Sequence, residues 1–271
     1  IRIMLIPNNK QKTKLFQYAN TARFAYNWAL GREKENYKNG GKFISDGDLR
    51  KEFTQLKKTE ECLWLNKISN NVTKQAIKDA CNAYKRFFKG YSKFPKFKSR
   101  KFSMPSFYQD NIKIQFSDTH VKVEGFTISK KKNKQKLNWI RLAEYNRIPT
   151  DCKYTNPRIK YDGLNWYLTV GIEYKDSTIV PSNEGIGIDL GIKDLAICSG
   201  GNKYQNINKT HRVKKLEKQK RRLQRSISRK YEKNKKGEIY CKTKNVIKKE
   251  KLLLKLNHRL TNIRQNYIHH I

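Results

Sequence analysis

The segment from Glu184 to Gly201, EGIGIDLGIKDLAICSGG, sets one carboxylate, Asp189, inside an apolar run bounded by glycines. A strand buried on both faces reads as nearly continuous hydrophobics, and IGIDLGI fits that pattern with one violation. An unpaired carboxylate buried there costs several kcal/mol, so Asp189 must meet a cation, a set of donors, or solvent at a sheet edge.

Three readings of Asp189 stand side by side. In the first, it joins other carboxylates around two divalent ions, as in nucleases of the RNase H type, where the ions activate water and stabilise the leaving oxygen. Magnesium suits such a set, because it takes hard oxygen ligands and keeps several waters. In the second, a D-x-G strand opens an ATPase of the sugar-kinase and actin type. In the third, Asp189 caps the following turn, the role that best explains Asp194.

Two further groups could meet nucleic acid. Between Gly90 and Tyr108 the residues Phe94, Lys96, Phe97, Lys98, Arg100 and Lys101 interleave rings and cations. Rings can stack on bases while cations meet phosphates; alternatively, the rings plug neighbouring cores and the lysines are solvated. From His211 to Lys236 the chain is nearly saturated with Lys and Arg, including Lys214, Lys215, Lys218, Arg221, Arg222 and Arg225. Residues 209–271 hold 22 basic and 4 acidic side chains, a balance of +18. A solvated face is the ordinary reading of a charge run, but an uncompensated helix repels itself, which favours a bound phosphate backbone. Candidates for reading a DNA motif are Asn70, Asn71 and Lys74, at the start of a predicted helix, with Tyr108 and Gln109. Amides and cations at a helix N-terminus can reach base edges and phosphates, unless Asn70 or Asn71 is simply the N-cap.

The whole chain agrees with that direction. Sixty-one Lys and Arg against 23 Asp and Glu leave a net charge of +38 over 271 residues, which makes nucleic acid the leading partner. No run approaches the roughly 20 apolar residues that span a bilayer. No Met stands at position 1 and no apolar signal segment follows it, so a trimmed start is expected. The cysteines, Cys62, Cys81, Cys152, Cys198 and Cys241, form no C-x-x-C pair. That points to reduced thiols in a cytoplasmic protein and away from a zinc knuckle in these residues.

The elements that must position these groups follow from periodicity. IRIMLIP reads as a short strand. A long amphipathic helix carries Leu15, Tyr18, Ala22, Ala25, Trp28 and Ala29 and ends at Gly40 and Gly41; a second spans Asp48 to Lys58. A third follows Ser69, with Val72, Ala76, Ile77, Ala80, Ala83, Tyr84, Phe87 and Phe88 on its buried side and Gly90 at its end. From Asn111 to Tyr174 the period switches to two, which predicts an antiparallel sheet or small barrel, with YDGLNW as its clearest hairpin. The first strand is expected to join that barrel, making the helices an insertion. Residues 176–183 read as a linker. A strand, a hairpin through Ser199 to Gly201, and two helices follow.

Taken in order, these features resemble the TnpB family of transposon-encoded RNA-guided DNA endonucleases. The likeness rests on RFAYNWAL, WL at 64–65 ahead of AYKRFFKG, FPKFKSR, NWYLTVGIE, GIGIDLGIKDLAICSGG, VKKLEKQKRRLQRSISRK and LNHRLTNIRQNYIHHI. It implies a mixed α and β fold: a wedge β-barrel (1–8 plus 91–180) split by a helical recognition lobe (9–90), then part of an RNase H-like RuvC domain with a basic helical hairpin (181–271). It also implies a guide RNA, double-stranded target DNA with a short adjacent motif, and a nucleoid-associated setting. In that division of labour the protein reads shape and the motif while base pairing reads sequence. Asp189 matches the first RuvC carboxylate and so a magnesium ligand. The family's later Glu, its four-cysteine zinc module and its final Asp are expected beyond Ile271, so these residues alone are expected not to cut DNA. Two other outcomes are a nuclease-dead RNA-guided repressor and a guide-independent DNA-binding protein.

Overall fold

The computed structural model describes residues 1–126, 137–173, 185–237 and 239–271. They divide into two units, 1–175 and 176–271. The expected linker at 176–183 lies outside the described residues.

The first unit begins with β1 (Arg2–Ile6), which turns Ile3 and Leu5 inward. Asn8 then caps α1 (Asn9–Lys38) in a reciprocal box. Its side chain accepts from the Gln11 amide while the Gln11 side chain accepts from the Asn8 amide, both at 2.9 Å. The Gln11 side-chain amide also donates to the carbonyls of Leu137 and Trp139 at 3.0 and 2.7 Å, so the first helical turn is tied to the sheet. α2 (Asp46–Leu56) starts at Ser45, and a 3-10 turn, Glu60–Lys67, leads to α3 (Asn70–Phe88). Gly90, with φ +72°, supplies the left-handed residue after the last turn of α3. α3 buries Val72, Ala76, Ile77, Ala80 and Tyr84 as its spacing predicts. Phe88 departs from the predicted stripe and is 56% exposed. It lies on the shoulder of the buried arc, where a ring stacks on Tyr84 without being enclosed.

Seven antiparallel strands complete the unit: β1, β2 (Ser106–Tyr108), β3 (Gln115–Phe116), β4 (His120–Lys122), β5 (Trp139–Leu142), β6 (Tyr154–Tyr161) and β7 (Trp166–Ile172), in the order β2-β6-β7-β1-β5-β4-β3. β1 sits at the centre, pairing Leu5 with Leu142 on one side and Ile3 with Leu168 on the other. Among the described residues this sheet is open, with β2 and β3 at its edges. The β6–β7 hairpin closes through Asp162, whose side chain accepts from the amides of Leu164 and Asn165. Pro157 sits inside β6, where a ladder donor is missing; a bulge absorbs it, with Asn156 at φ +45°. Helices and sheet share one core in which Tyr18, Leu30, Ile77, Phe126, Ile140, Ile159 and Trp166 are among the buried side chains. Gly125 is required by that core: its φ is +76°, and a Cβ there would meet the Tyr18 hydroxyl at 2.2 Å.

The second unit holds a meander of β8 (Ile188–Leu190), β9 (Asp194–Cys198) and β10 (Lys203–Gln205), in the order β10-β9-β8. The β9–β10 turn uses Gly201 at φ +86°. α4 (His211–Lys233) and α5 (Lys244–His270) follow, linked by a short ladder of β11 (Lys235–Lys236) and β12 (Ile239–Tyr240). Val213, Leu216 and Leu260 seal the helical hairpin, with Leu256 and Ile263 against them. Arg264 bonds Glu217 at 2.7 Å, and Tyr231 bonds Glu250 at 2.5 Å.

The reading of IGIDLGI as a strand buried on both faces is corrected here. Ile186, Ile188, Leu190 and Ile192 are 70, 61, 75 and 84% exposed, and Asp189 is exposed with them. Among the described residues β8 pairs only with β9 at the edge of its sheet, and neither of its faces is covered.

Candidate nucleic-acid interface

The aromatic and basic segment is clamped to α1 rather than free. The Asn27 side chain donates to the Lys98 carbonyl at 2.9 Å and accepts from the Lys98 amide at 2.8 Å. This holds the Lys98 ammonium 3.7 Å above the Tyr26 ring. Burial pushes Lys98 below the ordinary lysine value, aided by the Arg158 guanidinium and opposed by Asp79. The rings divide their area: Phe94 packs edge-on against Tyr84 and Phe87 yet is 47% exposed, and Phe97 is 53% exposed. Each therefore keeps a face on the protein and a face to solvent. Lys96, Arg100 and Lys101 are exposed.

Lys98, Arg100 and Tyr108 are brought together around a cavity of about 50 Å³ between α1, α3 and this segment. Sequence reasoning missed three residues that complete it: Arg23 of α1, Asp79 of α3 and Arg158 of β6. They lie far apart along the chain, and only the pairing of β6 with β2 sets Arg158 opposite Tyr108. Arg158 grips Asp79 with both terminal nitrogens at 2.7 and 3.0 Å. Asp79 raises the Arg158 pKa in turn.

The residues proposed to read a DNA motif separate into two groups. Asn70 and Lys74 line a cleft of about 600 Å³ with Arg50, Lys57 and Lys58. The N-cap of α3 is Ser69, which accepts from the Asn71 amide, so neither Asn70 nor Asn71 is the cap. Asn70 instead accepts from the Lys57 ammonium at 2.6 Å, with Thr73 a second acceptor at 3.4 Å. Lys57 is only 8% exposed, and burial lowers its pKa. No local pattern marks Lys57 as special in a chain this rich in lysine. The second group is committed elsewhere. Asn71 donates to Glu124 at 3.2 Å. Gln109, expected at a surface entrance, is 1% exposed and accepts from the Glu124 amide at 2.9 Å, so it is a strut of the sheet rather than a reader of bases. Tyr108 bonds Asn111 at 3.3 Å and remains at the cavity wall.

α4 carries its charge outward. Lys214, Lys215, Lys218, Arg221, Arg222 and Arg225 are all exposed, and among the described residues none is in an ion pair. The opposite side of the helix is spent on Val213, Leu216 and Ile227.

Asp189 pairs across β8 and β9 with Ile197. Among the described residues no group of three His, Cys, Asp or Glu could hold a metal ion. One exposed carboxylate has the right hardness for magnesium, but it does not compose a two-ion site. Asp194 begins β9, its backbone paired with Gln205.

Two family models match this chain in order: a helix-turn-helix domain of the IS605 OrfB family over residues 1–42, and the "Probable transposase" domain of the same family over 169–271. In the structure, residues 1–42 form β1 and α1, and the next helix begins at Asp46. The chain is 27% identical over all of its length to an Escherichia coli K12 protein named "Putative RNA-guided DNA endonuclease InsQ", covering 61% of that protein. It is 25% identical over 74% of its length to a Streptomyces pristinaespiralis protein named "Putative RNA-guided DNA endonuclease", covering 48% of it. The chain thus spans about half to three-fifths of these curated relatives. A Cas12f ternary complex is a looser likeness: TM-score 0.36 and 14% identity, over 90% of this chain and 56% of that one, too low to bear on the fold.

Proposed function

This chain belongs to the IS605 OrfB, or TnpB-type, family of transposon proteins, and on that premise we propose that it is the nucleic-acid-holding part of an RNA-guided DNA endonuclease. The observation that carries the reading is the row of exposed, unpaired cations on α4, set on a chain of charge +38. A surface of that kind gains affinity by releasing the counterions condensed on a phosphate backbone.

In this reading the guide RNA and a double-stranded target are the partners, and the work is done beside the nucleoid in the cytoplasm. The clamped 94–101 segment offers ring faces to bases and cations to phosphates. Asn70 and Lys74, at the mouth of the Lys57 cleft, remain the candidates for reading an adjacent DNA motif. Asp189 is proposed as one carboxylate of a RuvC-type magnesium site. The other ligands of such a site are not gathered around Asp189 among the described residues. The residues present do not assemble that site, so no hydrolytic step is derived for them. The wedge barrel, recognition lobe and RuvC boundaries belong to the same proposal.

The experiment is to purify the chain from cells carrying its transposon end and to sequence the RNA retained at physiological salt. One discrete RNA species from that end supports the reading. Retention of bulk RNA without enrichment would leave a guide-independent nucleic-acid binder.

A further inference from the structure

The small cavity between α1, α3 and residues 98–108 is lined by four cations, Arg23, Lys98, Arg100 and Arg158, against one carboxylate, Asp79. Asp79 is already engaged by Arg158 through two bonds. Asp79 also acts on the Lys98 ammonium at longer range, but among the described residues none of Arg23, Lys98 and Arg100 is in an ion pair. The Nε of Arg23 is buried without a hydrogen-bond partner, and an unsatisfied donor of this kind is costly. The Lys98 backbone is fixed in place by Asn27, and its side chain is partly buried. Cations gathered in one place without an ion pair repel one another and are stabilised by an anion. The cavity, about 50 Å³, has room for one phosphate-sized oxyanion group at its mouth.

We propose that this cavity seats one phosphodiester group of a bound nucleic acid, gripped jointly by Arg23, Lys98 and Arg100. The proposal rests on the nucleic-acid reading above and sharpens it: the three cations serve one phosphate rather than three. Joint grip has a signature, because each phosphate contact contributes about 0.9 to the salt slope on duplex DNA and about 0.7 on single strands.

The test compares wild type, Arg23→Gln, Lys98→Gln, Arg100→Gln and the Arg23→Gln/Lys98→Gln double variant. Binding of the co-purifying RNA and of a duplex DNA is measured across a salt series, and thermal unfolding checks each variant. Arg100 is exposed, so its variant tests the site where folding is not in question. The expected result is a slope about 1 lower or less for each single variant and still only about 1 lower for the double variant. The probe that shows the loss, RNA or DNA, identifies the source of the phosphate. A double variant whose slope falls by about 2 would mean two separate phosphates and overturn the proposal; unchanged slopes in folded variants would do the same. Absence of salt-dependent binding by wild type would instead remove the nucleic-acid reading on which the site depends.

Discussion

Arg158 of β6 and Asp79 of α3 meet fork to fork, at 2.7 and 3.0 Å, and join the helical layer to the sheet across 79 residues of sequence. Gln75 holds the same carboxylate at 2.9 Å, so Asp79 accepts from two side chains. Planar bidentate pairs are the ion pairs that keep their geometry.

Asp79→Asn should therefore destabilise the first unit, by about 1 kcal/mol, because the pair is partly open to solvent. It should also leave Arg158 free to act as a fourth cation in the cavity. Chemical denaturation and a salt series check the two parts. The expected outcome is a lower midpoint with RNA or DNA affinity raised, and affinity lowered would contradict the account of the cavity.

Lys57→Met should be neutral or stabilising by up to about 2 kcal/mol, since an apolar side chain replaces a buried charge that has only neutral acceptors. Lys57 has a lowered pKa in the folded state. Between that value and the ordinary lysine value the unfolded chain binds more protons, so stability rises with pH in that alkaline window. Below it the penalty of burying the charge is present in full. The difference in unfolding free energy between Lys57→Met and wild type should thus shrink as pH is raised from 7 toward about 10.

On α4, Lys214→Gln combined with Arg221→Gln should lower the salt slope by about 2, at roughly 0.9 per contact. The melting temperature should hold, because exposed unpaired side chains contribute within about 0.5 kcal/mol. A slope that did not move would leave this row a solvated face.

Asp189→Ala should leave unfolding within about 0.5 kcal/mol of wild type, because the residue is exposed at a sheet edge. In protein produced from the whole reading frame it should keep RNA binding within about twofold and lose magnesium-dependent cleavage of guide-matched DNA. Cleavage at the normal rate would remove Asp189 from the metal site.

Periodicity was a good guide to most positions where one face of an element meets the core, Phe88 of α3 being a departure. Leu15, Tyr18, Ala22, Ala25 and Ala29 are all buried on α1, and the lone first strand lies in the later sheet as expected. It misled at IGIDLGI, because a hydrophobic run states that a strand wants cover on both faces but not whether cover is present. It also misled at Gln109, whose polarity suggested a surface while its side chain was needed to satisfy the Glu124 amide.

What the sequence determined by itself is local or summed: a helix that opens after Ser69, turns at Asp162 and Gly201, and a charge of +38 that makes a polyanion the leading partner. Caps and turns depend on bonds between near neighbours, and net charge needs no geometry at all. Tertiary structure decided which of 61 cations matter individually. Arg23, Lys98 and Arg158 meet only because β6 pairs with β2 and α1 packs against α3. Among the described lysines Lys57 is set apart by its burial. Desolvation acts on a charge through everything packed around it, and no spacing along a single chain records that.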